Sequence, residues 1–114
     1  MAEILLFHHV YGRTEGVQRF ADHLRQAGHL VHVPDLYQGP VFESRSDGQA
    51  YAQSIGFGEL VERGVRAADA LPADLVYAGL SLGVVPAQRL AQTRLGARGA
   101  VLLYSCLPVA EFGS

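Results

Sequence analysis

The residues with the clearest chemical potential form a short motif around one serine. Residues 79–83 follow the pattern G-x-S-x-G, with Ser81 as the serine, between an apolar run at 75–80 and a helix-like stretch at 84–95. In that context the motif predicts a tight strand-to-helix turn that exposes the serine hydroxyl. The helix behind it offers backbone N–H groups and a positive dipole end to a developing oxyanion. We therefore predict a nucleophilic serine; an ordinary strand–turn–helix connection is the alternative.

Apolar runs alternate with helical stripes along the chain. Continuous apolar runs of this length are typical of strands covered on both faces, and they predict strands at residues 4–7, 30–33, 75–80 and 100–104. Apolar residues at helical spacing predict helices at 14–27, 47–55, 57–71 and 84–95. Thr14 and Asp47 are the predicted N-caps of the first two helices. The alternation predicts an α/β fold, a three-layer sandwich with a mainly parallel sheet, in one domain over residues 1–114.

Polar residues follow each predicted strand. His8 and His9 come after the first strand, Asp35 after the second, Ser81 after the third and Cys106 after the fourth. Sites in such sheets lie beyond the carboxyl ends of the strands, so these residues are the candidates. Asp35 follows a proline and is interpreted as a loop anchor that accepts backbone N–H groups. Cys106 is interpreted as a structural cysteine.

Composition restricts the class of protein. Of 114 residues, 49% are hydrophobic and 18% are charged, and the formal net charge is −2, which is typical of a globular protein without a nucleic-acid or membrane surface. A single cysteine excludes an internal disulfide and fits a reducing compartment. The N-terminus lacks the basic segment and cleavage site of a signal peptide. These features predict a cytoplasmic protein.

No cofactor or metal is expected. A dinucleotide-binding G-x-G-x-x-G is missing after the first strand. His8 and His9 are adjacent, so on a strand they point to opposite faces, and no third ligand has convincing spacing. Arg45, in the polar loop before the second predicted helix, is interpreted as a solvated charge.

Three segments together resemble the dienelactone hydrolase family. They are H-H-V-Y-G at residues 8–12, P-D-L-Y at residues 34–37 and the serine motif. Members are α/β-hydrolases that act on small lactones and esters. The resemblance covers essentially the whole chain but only the N-terminal portion of such an enzyme, which implies a truncated α/β-hydrolase fold lacking its last strands.

The resemblance also implies roles for individual residues. Ser81 would be the nucleophile, and the N–H groups of Leu82 and Val10 would form the oxyanion hole. The best-known members have cysteine at the nucleophile position and an acidic residue where this chain has His9. Serine is compatible with acyl transfer, but the activation of cysteine by that acid does not carry over.

The catalytic acid and histidine of these enzymes follow the nucleophile. After Ser81 this sequence has no histidine, and Glu111 is its only acidic residue. We therefore expect the N-terminal part of a longer hydrolase, inactive or weakly active alone. His9 could approach Ser81 and act as a base, although a histidine that merely fills space is the favoured interpretation.

Two function classes remain open. The first is a serine acyl hydrolase of dienelactone-hydrolase type that acts on a small ester or lactone. The second is a non-catalytic α/β module that binds a small ligand or partner. In either case the fourth strand, which is apolar and uncharged, is expected at an edge of the sheet, where it could cause self-association.

Overall fold

The chain forms one parallel sheet with helices packed on its faces, in a computed structural model that describes residues 2–103. The sheet has the order β2-β1-β3-β4, and all its neighbouring strands run parallel. The strands are β1 (Glu3–Phe7), β2 (Leu30–His32), β3 (Val76–Leu80) and β4 (Gly99–Leu103). The helices are α1 (Glu15–Gln26), α2 (Arg45–Ile55), α3 (Phe57–Ala68) and α4 (Val84–Thr93), and a single 3₁₀ turn, Ser81–Gly83, joins β3 to α4.

Side chains of the central strands alternate between two cores, as the period of two in a strand requires. One core joins Ile4 and Leu6 of β1 to Val17 and Ala21 of α1. The other joins the remaining strand positions to α2, α3 and α4, through Leu5, Phe7, Tyr77, Ala52, Leu60, Ala87 and Leu90. The sheet is thus the middle of three layers, and the predicted three-layer α/β fold is confirmed.

Local chemistry explains where the first two helices begin. The Thr14 hydroxyl accepts a hydrogen bond from the Val17 amide at 3.3 Å, so the predicted cap of α1 is confirmed. The predicted cap of α2 is wrong. Ser44 is the cap, because its hydroxyl accepts from the amide of Asp47 at 3.0 Å and α2 begins at Arg45.

The other predicted elements are present with small differences at their ends. For example, α3 ends at Ala68 and not at residue 71, and β1 begins one residue earlier than predicted. Strand β4 lies at an edge of the described sheet, as expected, with Val101 46% exposed and Leu103 36% exposed. Tyr104, Cys106 and Glu111 lie outside the described residues. No helix within residues 2–103 is long and apolar enough to cross a bilayer.

Candidate active site

The turn at Ser81 has the strained backbone that the motif predicts. Ser81 follows β3 directly and has a φ of 54°, in the left-handed region that residues with a Cβ rarely adopt. A residue held in this region costs on the order of 1–3 kcal/mol, which the surrounding structure must offset. Within residues 2–103, Gln38 is the only other non-glycine residue with a positive φ.

The two glycines of the motif allow this turn because backbone packs directly against backbone there. A Cβ on Gly79 would overlap the carbonyl oxygen of Gly83. A Cβ on Gly83 would overlap the carbonyl oxygen of Phe7 and lie 2.7 Å from that of His8. Strand β3, the turn and the end of β1 therefore approach each other more closely than any side chain permits.

Ser81 lines two cavities at the carboxyl end of the sheet. The first, of about 170 Å³, also has Val10 and Leu82 in its wall. The second, of about 330 Å³, has Val10 and His9. All four site residues named from the sequence (Ser81, Leu82, Val10 and His9) thus lie around one region. Their chemical roles stay predictions.

Val10 and Leu82, whose amides are the predicted oxyanion donors, both line this region. Leu82 lies in the first turn of a helical segment, where amide N–H groups have no partner inside the helix. No backbone carbonyl within residues 2–103 accepts a hydrogen bond from the Val10 amide. The loop that carries Val10 is fixed on its other side, because the Tyr37 hydroxyl donates to the Val10 carbonyl oxygen at 2.7 Å. The use of these two N–H groups as oxyanion donors stays a prediction.

His8 is fully buried and is a structural group of this loop. Its Nδ1 lies 2.8 Å from the carbonyl oxygen of His9, and its Nε2 accepts from the Leu36 amide at 3.0 Å. Burial lowers the pKa of His8, with smaller opposing contributions from the His9 carbonyl and Asp35. His8 is therefore neutral, and the 3.9 Å between its Nε2 and the Asp35 carboxylate is not an ion pair.

Asp35 instead holds the loop after β2. Its carboxylate accepts the amides of Tyr37 and Gln38 at 3.1 Å each and that of Gly39 at 2.9 Å. The interpretation of Asp35 as a loop anchor is confirmed.

His9 is partly buried, and its ring packs edge-to-face with that of Tyr11, with centroids 5.1 Å apart. Its Nδ1 is buried and has no hydrogen-bond partner among the described residues. The carbonyl oxygen of His9 itself favours a proton on this ring, but that oxygen also accepts from His8 and from the Gly12 amide. Burial outweighs the carbonyl and lowers the pKa of His9.

No general base contacts the serine within residues 2–103. The Ser81 hydroxyl makes no hydrogen bond there, and His9 shares its cavity without bonding to it. The described residues also contain no cluster of three metal-ligating side chains. Activation of Ser81 would therefore need a group from outside this part of the chain.

Arg45 lines the candidate site, which sequence reasoning did not predict. It is the first residue of α2, is exposed, and lines both cavities beside Ser81. Its guanidinium has no hydrogen bond or ion pair with another described residue. A cation at the N-terminus of a helix opposes the helix dipole, so this position of Arg45 does not stabilise α2.

The fold matches solved structures about twice as long as this chain. A protein called m3DLH is 17% identical with a TM-score of 0.67, and the match covers 94% of this chain and 50% of that one. A dienelactone hydrolase-like promiscuous phosphotriesterase from metagenomic libraries is 19% identical with a TM-score of 0.69, and the match covers 95% of this chain and 49% of that one. No family model and no curated protein matches the sequence.

These likenesses establish the class of fold, an α/β-hydrolase. More specifically, the chain has the fold of the N-terminal half of a dienelactone hydrolase-like protein, and it spans about half the length of the structures it matches. The resemblance stated from the sequence is confirmed at the level of the fold.

Proposed function

We propose that the chain is part of a serine acyl hydrolase of dienelactone-hydrolase type that acts on a small ester or lactone. The observation that carries this proposal is the left-handed backbone of Ser81 between two glycines that tolerate no Cβ. Such strain persists only where the surrounding structure enforces it, and it is common at catalytic positions. The serine also shares a cavity with Val10 and Leu82, the two proposed oxyanion donors.

In the proposed reaction the Ser81 oxygen attacks the carbonyl carbon of the ester, and the carbonyl oxygen becomes an oxyanion. The N–H groups of Val10 and Leu82 stabilise that charge. The serine proton passes to a base, and the leaving alkoxide takes up a proton before water hydrolyses the acyl-enzyme. The base and its acid partner are proposed to come from outside residues 2–103.

Arg45 favours a substrate that carries an anionic group. Its guanidinium lines both cavities and has no partner among the described residues. A carboxylate on the ester could accept two parallel N–H bonds from it. One matched protein is named a phosphotriesterase, so an aryl phosphotriester is a reasonable second substrate to assay beside an aryl ester.

A fluorophosphonate probe tests the proposal on the chain as it stands. An oxyanion hole and binding alone retain about 10³–10⁴-fold acceleration over water when a triad is lost. We therefore expect mass spectrometry to find Ser81 modified at least about 100-fold faster than Ser54, an exposed serine on α2. Ser81→Ala should remove the modification, whereas Ser54→Ala should not. Equal rates at the two serines would refute an activated site.

The alternative is a non-catalytic module that binds a small ligand in the same cavities. The missing hydrogen bond to the Ser81 hydroxyl favours it, because a serine without a base is a weak nucleophile. Saturable binding of a carboxylate ligand that survives Ser81→Ala, together with no selective probe reaction, would support this alternative.

A further inference from the structure

The hydrogen bonds of His8 define which of its nitrogens carries the proton. Nδ1 lies 2.8 Å from the carbonyl oxygen of His9, and Nε2 lies 3.0 Å from the amide nitrogen of Leu36. A carbonyl oxygen only accepts and an amide N–H only donates. Nδ1 must therefore hold the proton and Nε2 the lone pair. This neutral tautomer satisfies both nitrogens of a completely buried ring.

The carbonyl held by His8 belongs to the same peptide unit as the amide of Val10. No peptide bond in the described chain is cis, and in a planar trans unit the C=O and N–H point in opposite directions. The His9 carbonyl oxygen also accepts from the Gly12 amide at 3.0 Å. Two hydrogen bonds therefore fix this peptide plane, and the Val10 N–H points away from the buried ring.

We propose that His8 is a positioning residue that holds the Val10 N–H toward the cavity of Ser81. The inference rests on the proposed function, because that N–H is the proposed oxyanion donor. Val10 lines both cavities with Ser81, and no described carbonyl accepts its N–H. Through Nε2 the ring also joins this loop to the segment after β2, where Leu36 lies.

Two substitutions separate the two contacts of His8. Asparagine places an N–H donor near the position of Nδ1 and nothing near Nε2, so His8→Asn keeps the contact with the His9 carbonyl. Glutamine places a carbonyl oxygen near the position of Nε2, so His8→Gln keeps the contact with the Leu36 amide. Both variants bury an uncharged amide.

The first measurement is the rate at which a fluorophosphonate modifies Ser81, under conditions where urea titration shows each variant folded. Removing an oxyanion donor lowers the rate about 100- to 1000-fold, and turning a donor away from the oxyanion should lower the rate by part of that factor. We expect His8→Asn to stay within about threefold of the unmodified chain and His8→Gln to fall at least about tenfold. Equal rates in the two variants would overturn the proposal.

The second measurement does not depend on any reaction. In ¹⁵N-histidine NMR of the unmodified chain, His8 should give the pattern of a neutral ring protonated at Nδ1, with a slowly exchanging Nδ1 proton. The Val10 amide resonance should move in His8→Gln and stay close to its place in His8→Asn. Protonation at Nε2, or equal movement of Val10 in both variants, would overturn the proposal.

The two measurements also separate this inference from the proposed function. If the probe fails to select Ser81 in the unmodified chain, the hydrolase proposal fails by itself. The His8 tautomer and the Val10 resonance then decide whether His8 orients the peptide. If the probe selects Ser81 but the two variants react alike, the site is active and the role of His8 is refuted.

Discussion

Gly83 is the position where a single methyl group should test the geometry of the turn most directly. In Gly83→Ala the new Cβ would overlap the Phe7 carbonyl oxygen and lie 2.7 Å from both the Phe7 carbonyl carbon and the His8 carbonyl oxygen. Backbone atoms at the end of a central strand cannot rotate away as a side-chain tip can. Overpacking costs about 1–3 kcal/mol, and we expect the upper end, about 3 kcal/mol of the free energy of unfolding.

Urea titration followed by circular dichroism measures this change. With a slope of about 1–3 kcal/mol per M, a loss of about 3 kcal/mol lowers the midpoint by about 1–3 M. Gly58→Ala is the matched control, because a Cβ at Gly58 in α3 meets no atom within 4 Å. It should raise stability by about 0.5–1 kcal/mol, since alanine has the higher helix propensity. A Gly83→Ala variant as stable as Gly58→Ala would refute the close approach of the turn to β1.

Three further predictions concern the loop, the cavity and the sheet edge. Tyr37→Phe should cost about 1–3 kcal/mol by leaving the Val10 carbonyl unpaired. Burial raises the pKa of Tyr37 from 10.0 to about 12, because the fold favours the protonated phenol. The stability that this group contributes below pH 10 should therefore be lost as the pH rises through about 12, and the phenylalanine variant should lose less stability over that range. Arg45→Gln should lower kcat/KM for an ester carrying a carboxylate by about tenfold, since a hydrogen bond to a charged group contributes about 1.5–3 kcal/mol. In the same steady-state assay, kcat/KM for the neutral methyl ester of that substrate should not change. Equal losses for the two substrates would contradict a role of Arg45 in binding an anion. If the chain self-associates through β4, Val101→Lys should reduce the sedimentation-derived mass toward that of a monomer, whereas Leu95→Lys, at an 89% exposed site outside the strands, should not.

The sequence predicted the fold well because each strand and helix carries its own local signal. Continuous apolar runs indicate strands buried on both faces, and β1 and β3 have this pattern because helices cover both sides of the sheet. Helix ends were less certain where two capping residues compete. Ser44 and Asp47 are both good N-caps, and the choice depends on where the chain enters the helix, which tertiary packing decides.

The candidate site likewise has one part that the sequence predicted and one part that it did not. The motif at residues 79–83 specifies a backbone turn, and this local property was predictable. The place of Arg45 was not, because it depends on α2 packing close to the loop after β1. A Cβ on Gly48 of α2 would overlap the Val10 carbonyl oxygen, so this glycine lets the helix approach and brings Arg45 to the cavity. Nothing in the spacing of these residues along the chain encodes that contact.

The adjacent histidines show why residue type alone could not assign roles at this site. Neighbours at a strand end face different surroundings, so His8 enters the core while His9 lines the cavity beside Ser81. His8 donates to the carbonyl oxygen of His9, and the Gly12 amide donates to the same oxygen, so its two lone pairs are already engaged. A proton on the buried His9 Nδ1 would therefore have no acceptor, which favours the proton on Nε2. In that tautomer the lone pair of the ring is on the buried Nδ1, so the proposed acyl chemistry would use a base from outside the described residues even though a histidine lines the same cavity as the serine.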